Sequence, residues 1–158
     1  MTETANQRRG GPLPLRKSLL LLCLLVLLTG CGNRAPEHPL VDPTGEAIIL
    51  PLTLIDDGGV HFFTYKSGGR SLNFFVRTDG EGRLHAHFDA CYSCYKYKKG
   101  FVREGDRVVC LACRIGYKLE ERVWDFVGAC APMPLRSHRT TDGLVIGLAD
   151  LEQGRRYF

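Results

Sequence analysis

The chain is 158 residues long, with 21 lysines and arginines against 17 acids and a formal net charge of +4. Four of the basic residues (Arg8, Arg9, Arg16, Lys17) and one acid (Glu3) fall in the first 30 positions, so the other 128 residues carry only +1. That near-neutral balance removes the electrostatic argument for nucleic acid binding, and a chain of this length makes one domain with a modest core, not two.

Residues 1–30 read as a secretory signal: a basic segment, then the apolar run from Ser18 to Leu28. The run is about half of the roughly 20 residues that cross a bilayer. It ends in Leu28-Thr29-Gly30-Cys31, the small-residue pattern of a lipobox, in which the cysteine takes a diacylglyceryl group and becomes the new N-terminus. The alternative is a short uncleaved anchor in which Cys23 and Cys31 are incidental. Both place the following domain outside the cytoplasm, in the cell envelope. Gly32 stands where an aspartate would retain a lipoprotein at an inner membrane, which points to the outer one in an organism with two membranes. The pair Arg8-Arg9 is followed by Gly10-Gly11-Pro12, a poor context for twin-arginine export. Residues 31–46 hold three prolines and no periodic apolar pattern, as expected of a lipid-anchored extended tether with His38 in solvent.

From Ala47 to the C-terminus the sequence reads as one small, mainly β domain. Runs rich in Ile, Val, Phe and Thr (47–55, 60–65, 71–77, 83–88) are separated by Asp-Gly and Gly-Gly pairs, the signature of antiparallel hairpins. Along 60–65, His61, Phe63 and Tyr65 share one face and Phe62 and Thr64 the other, with the aromatics expected in the core. Phe101 to Cys110 reads as a hairpin turning at Gly105-Asp106. Leu135–Thr140 and Leu144–Ala149 read as a final pair of strands, with a short helical turn near Asp150–Gln153.

Seven cysteines are present. With Cys23 in the signal and Cys31 at the lipid site, Cys91, Cys94, Cys110, Cys113 and Cys130 remain. The first four form two Cys-x-x-Cys pairs separated by 15 residues, a spacing that reads as a four-thiolate metal site. A two-residue gap on a tight turn brings two sulfurs within about 4 Å, and a second such turn completes a tetrahedron of about 2.3 Å bonds around zinc. Export also permits two plain disulfides, and a two-residue gap is equally the geometry of a redox thiol pair. Cys130 is an odd fifth thiol: a further ligand, a resolving thiol or a free buried residue. His85 and His87 lie two apart on one strand face, where they either extend the centre as additional ligands or serve as ordinary strand histidines. Tyr92, Tyr95, Tyr97 and Tyr117 flank the cysteines, and Lys96, Lys98, Lys99, Arg103 and Arg107 would offset the charge of a tetrathiolate or form a solvated loop. No Ser/His/Asp set, phosphate loop or carboxylate pair suggests catalysis, so an electron carrier or metal-binding protein is expected rather than an enzyme.

The segments Asp89-Ala90-Cys91-Tyr92-Ser93-Cys94-Tyr95, Lys99-Gly100-Phe101, Val109-Cys110-Leu111-Ala112-Cys113 and Gly128-Ala129-Cys130-Ala131-Pro132 resemble the FtrD-like membrane iron–sulfur protein family. The similarity runs from Phe74-Phe75-Val76 to Gly143-Leu144-Val145-Ile146, with Ala129 where the family has glycine. Many members carry several membrane helices ahead of this domain, whereas this chain has a lipid anchor. The resemblance implies an iron or iron–sulfur centre, with zinc as the alternative, and a partner in the envelope such as an iron permease or a redox protein. The compact cysteine run of bacterial ferredoxins is absent.

Overall fold

The computed structural model describes residues 38–122, 124 and 130–158; the signal segment, Cys31 and the Gly128-Ala129 pair lie outside the described residues. The strands are β1 (Ala47–Pro51), β2 (Val60–Ser67), β3 (Arg70–Thr78), β4 (Leu84–Cys91), β5 (Phe101–Glu104), β6 (Arg107–Cys110), β7 (Gly116–Lys118), β8 (Pro132–Leu135), β9 (His138–Arg139) and β10 (Gly143–Gly147). Two short helices, α1 (Leu52–Ile55) and α2 (Leu148–Gln153), follow β1 and β10. Among the described residues no helix is long and apolar enough to cross a membrane.

The strands form three antiparallel sheets: a four-stranded one ordered β2-β3-β4-β8 and two three-stranded ones, β1-β10-β9 and β5-β6-β7. The four-stranded sheet is covered on both faces, and β3 shows why. Its run Leu72-Asn73-Phe74-Phe75-Val76 is buried throughout, as strands covered on two sides are. Alternation sends Phe74 and Val76 to a core shared with Ile48, Leu50, Ile146 and Leu151. It sends Phe75 to a second core with Phe101, Val108, Tyr117 and Trp124, in which Cys91, Cys110 and Cys130 also sit. Both phenylalanines are fully buried, and truncating either to alanine costs about 3–5 kcal/mol.

The expected hairpins form, with differences. The run 47–55 is a strand only to Pro51; Leu52–Ile55 makes one helical turn closed by Asp56 N–H to the Leu52 carbonyl, 2.9 Å, which carries Ile55 into complete burial. Leu135–Thr140 is not one strand. Pro132–Leu135 pairs with β4, and the chain then changes sheets so that His138 and Arg139 pair with β10. Two prolines fit β8 because it is an edge strand with one side free of ladder bonds. Leu148 and Ala149 belong to α2 rather than to the final strand, and β7, three residues long, had no readable pattern.

The described part of the expected tether is docked. Thr64 N–H donates to the Pro39 carbonyl at 2.8 Å and Val41 N–H to the Thr64 carbonyl at 3.0 Å, so the segment adds a short parallel bridge to the edge strand β2. His38, expected in solvent, instead stacks on Phe62 at 4.9 Å with its Nε2 3.2 Å from the Asp89 carboxylate. A buried carboxylate with few donors supplies the reason.

Candidate metal centre

Each Cys-x-x-Cys begins where a strand ends: Cys91 closes β4 and Cys110 closes β6. In both turns the first cysteine is buried, 3% and 1% exposed, and the second, Cys94 or Cys113, is half-buried. The first turn is closed by Cys94 N–H to the Cys91 carbonyl, 3.2 Å, and the second by Arg114 N–H to the Cys110 carbonyl, 2.9 Å. Arg114 takes a positive φ of 62° to return the chain, and the Cys110 N–H then bonds the Ile115 carbonyl at 2.9 Å. In the same way the amides of Ser93 and Cys94 are turned on the Cys91 sulfur, those of Ala112 and Cys113 on the Cys110 sulfur, and that of Ile115 on the Cys113 sulfur. Amides aimed at sulfur stabilise thiolate and form the outer shell that thiolate metal sites carry.

The two turns are held together by Asp89, two residues before Cys91. Its Oδ1 accepts the Phe101 N–H at 2.6 Å and its other oxygen meets His38, so β5 and the docked N-terminal segment are both tied to β4. Gly100, at φ 69°, lies so close that a Cβ there would fall on the Asp89 carboxylate. Leu111 N–H to the Gly100 carbonyl, 3.0 Å, brings the second turn alongside. The sulfurs of Cys91, Cys94, Cys110 and Cys113 consequently all lie within 4.8 Å of one another. Four thiolates on bonds of about 2.3 Å around one tetrahedral ion stand roughly 3.8 Å apart, so the donor set fits a metal with little movement. All five described cysteines are free thiols.

Without a cation the cluster resists ionisation. Burial raises the Cys91 thiol, pushes Cys110 up to about 11 and lifts Cys94 well above the ordinary thiol range. The neighbouring sulfurs add to this at all three positions. At Cys113 burial acts the same way but is outweighed by the Ile115 amide and the Cys130, Cys110 and Cys94 thiols, which hold it below its ordinary value. Several thiolates cannot share so small a volume unless a positive ion neutralises them.

Cys130 is buried, with its sulfur 3.9 Å from that of Cys94, next to the set of four. The histidines are elsewhere. His85 Nε2 lies 2.8 Å from Asp79 Oδ2, and the His87 ring is sandwiched between Phe75 and Trp124 at 5.3 and 5.0 Å. Neither ring nitrogen of His87 makes a hydrogen bond; the Pro132 carbonyl faces it outside bonding geometry. Burial, with Arg77 and His85 nearby, lowers its pKa to about 3, so it is neutral. Arg77 itself, 1% exposed, lies 4.1 Å over the Trp124 ring and donates to the Leu119, Glu121 and Arg122 carbonyls. Of the expected cations, Lys96, Lys98 and Lys99 border the first turn. Arg103 and Arg107 lie toward the other end of the β5–β6 hairpin, where Glu104 pairs with Arg107, whereas Cys110 pairs with Phe101 at its base. Asp89 and Gly100 were not legible as site residues, although an aspartate inside an apolar strand and a glycine after Lys98-Lys99 were the available signals.

The fold and the site define a small antiparallel β protein with a four-cysteine cluster suited to a metal or iron–sulfur group. A family model described as "Membrane iron-sulfur containing protein FtrD-like" matches residues 55–158, and the chain belongs to this family. No curated protein matches the chain in sequence. Among solved structures, the chain is similar to the crystal structure of a quaternary ammonium Rieske monooxygenase, CntA, at 15% identity and a TM-score of 0.45. That match covers 72% of this chain and 35% of the other, so the chain spans about a third of the monooxygenase.

Proposed function

We propose that the protein is exported, is held to a membrane by lipid on Cys31, and carries an iron or iron–sulfur centre on Cys91, Cys94, Cys110 and Cys113 that passes electrons in bacterial iron uptake. The convergence of four sulfurs within 4.8 Å carries this reading, and the family's iron–sulfur description supports the choice of group. When bound, the group supplies a one-electron couple. The chain's own part is to hold the thiolates, to bias the couple through the amides of Ser93, Cys94, Ala112, Cys113 and Ile115, and to keep Cys91 and Cys110 dry. The half-buried Cys94 and Cys113 form the edge nearest solvent, where an envelope partner, an iron permease or another redox protein, exchanges electrons. The lipobox supports the anchor, and the seven Cα–Cα steps from Cys31 to His38 reach about 25 Å at most, which keeps the docked domain close to its membrane.

Anaerobic titration of the purified chain with dithionite tests the redox role. Visible charge-transfer bands that bleach on reduction and return on oxidation are expected; a colourless protein that takes up no electrons contradicts it. The second reading is a structural zinc site in a binding module. It is favoured by the packing of Cys91, Cys110 and Cys130 inside the second core, where a bound ion replaces missing apolar contacts.

A further inference from the structure

Immediately after the first cysteine pair the chain turns outward. Tyr92, Tyr95 and Tyr97 are 42%, 39% and 58% exposed, three of only six large hydrophobic side chains so exposed among the described residues. Lys96, Lys98 and Lys99 alternate with them and are exposed. None of the three lysines is in an ion pair among the described residues, and residues 90–103 contain no acid at the surface or elsewhere. The Lys96 ammonium lies 5.2 Å from the Tyr97 ring. Tyr95 meets Tyr157 edge-on at 5.5 Å, and Arg156 lies over Tyr157 at 4.9 Å, so the surface continues onto the C-terminal turn with a fourth cation. Lys98 is held at φ 54° and, with Tyr95, lines a cavity of about 240 Å³ whose wall includes Cys91, Cys94 and Cys110.

Exposed tyrosines give contact area at small entropic cost and are enriched at protein interfaces. Unpaired cations around them select partners by charge and speed encounter. Tyr95 and Lys98 line the same cavity as Cys91, Cys94 and Cys110, and the other tyrosines and lysines follow within five residues of Cys94 or precede it by two, which is the position an electron-exchange surface needs. We infer that Tyr92, Tyr95, Tyr97, Lys96, Lys98, Lys99 and Arg156 form the docking surface for an acidic redox protein. This inference rests on the redox reading of the cysteine centre. A reduced centre held by Cys91, Cys94, Cys110 and Cys113 would supply one electron to the oxidised partner, with no bond made or broken.

Native cytochrome c, which is basic, and its succinylated form, which is acidic, carry the same haem and differ in surface charge, so they isolate this effect. The full chain, purified in detergent with its own metal and reduced anaerobically, is mixed with each ferric form, and haem reduction is followed. At low salt the succinylated form is expected to react about 10-fold faster, with the preference fading as ionic strength passes ~0.1 M. The variant Lys96→Glu/Lys98→Glu/Lys99→Glu, matched to the parent in metal content and Tm, is expected to lose or invert the preference. Equal rates for both forms, or a preference unchanged in the variant, overturn the docking surface while leaving the redox reading intact. Reduction of neither form overturns both. Equal rates combined with variant-sensitive flotation on phosphatidylglycerol vesicles overturn the protein partner in favour of an anionic lipid surface.

Discussion

Asp89 is one side chain with two structural tasks, since the same carboxylate receives the Phe101 amide and meets His38. Burial raises its pKa, while His38 and the Phe101 amide act in the other direction. Asp89→Ala leaves a buried N–H without an acceptor, which costs about 1–3 kcal/mol, and it releases β5 and the second cysteine turn. A drop in Tm of roughly 5–10 °C with reduced metal retention is expected by thermal scanning and metal analysis, and Asp89→Asn, which keeps an acceptor, is expected to be milder. Gly100→Ala is expected to resemble Asp89→Ala, because alanine is strained at a φ of 69° and its Cβ meets the carboxylate. His87 makes a different prediction. Its folded pKa of about 3 lies below the unfolded value near 6.5, so the unfolded chain takes up a proton first as pH falls. Stability is full above about pH 6.5 and declines toward pH 3. His87→Phe, which keeps a ring between Phe75 and Trp124, is expected to flatten denaturant-derived stability between about pH 6.5 and 4. Below about pH 4 the loss due to Asp79 remains, since that carboxylate is buried but held well below its ordinary range by His85, Arg83 and the Glu81 amide.

At the level of elements, the centre is the meeting of two strand ends. The spacing of Cys91, Cys94, Cys110 and Cys113 made the set legible in sequence because each turn is local, and the Gly105-Asp106 turn returns the chain so that Cys110 ends opposite Phe101, a few residues after the first pair. The partners of those turns were not legible. Pro132 faces Cys91 across the β4–β8 ladder, a pairing between residues about forty apart that no local pattern encodes. Likewise Leu52–Ile55 continues an apolar run in sequence yet turns helical so that Ile55 reaches the core. Replacing Cys91 and Cys110 together removes the two buried sulfurs that anchor each turn. The double serine variant is expected to lose bound metal and to expose the Phe75–Trp124 core, seen as lost near-ultraviolet dichroism. A variant with intact dichroism and unchanged metal would contradict the four-cysteine assignment.

For the whole molecule, the sequence leads one to expect a lipid anchor ahead of a β domain, and the structure ties the segment from His38 onward to β2 and β4. That docking was hidden because residues 31–46 show no periodic apolar pattern, while the group that receives His38 lies 51 positions away. Palmitate labelling in the native host is expected to mark the chain and to fail for Cys31→Ser; a parent chain that takes no label would return it to the uncleaved-anchor reading, and label kept by the variant would move the lipid to another residue. The central claim is tested most directly by iron, zinc and acid-labile sulfide analysis of the full chain purified anaerobically without added metal, with its absorption spectrum. Iron bound in proportion to protein, with visible charge-transfer bands that vanish in the Cys91→Ser/Cys110→Ser variant, is the result expected. Stoichiometric zinc without colour, or no metal and two disulfides, would contradict it.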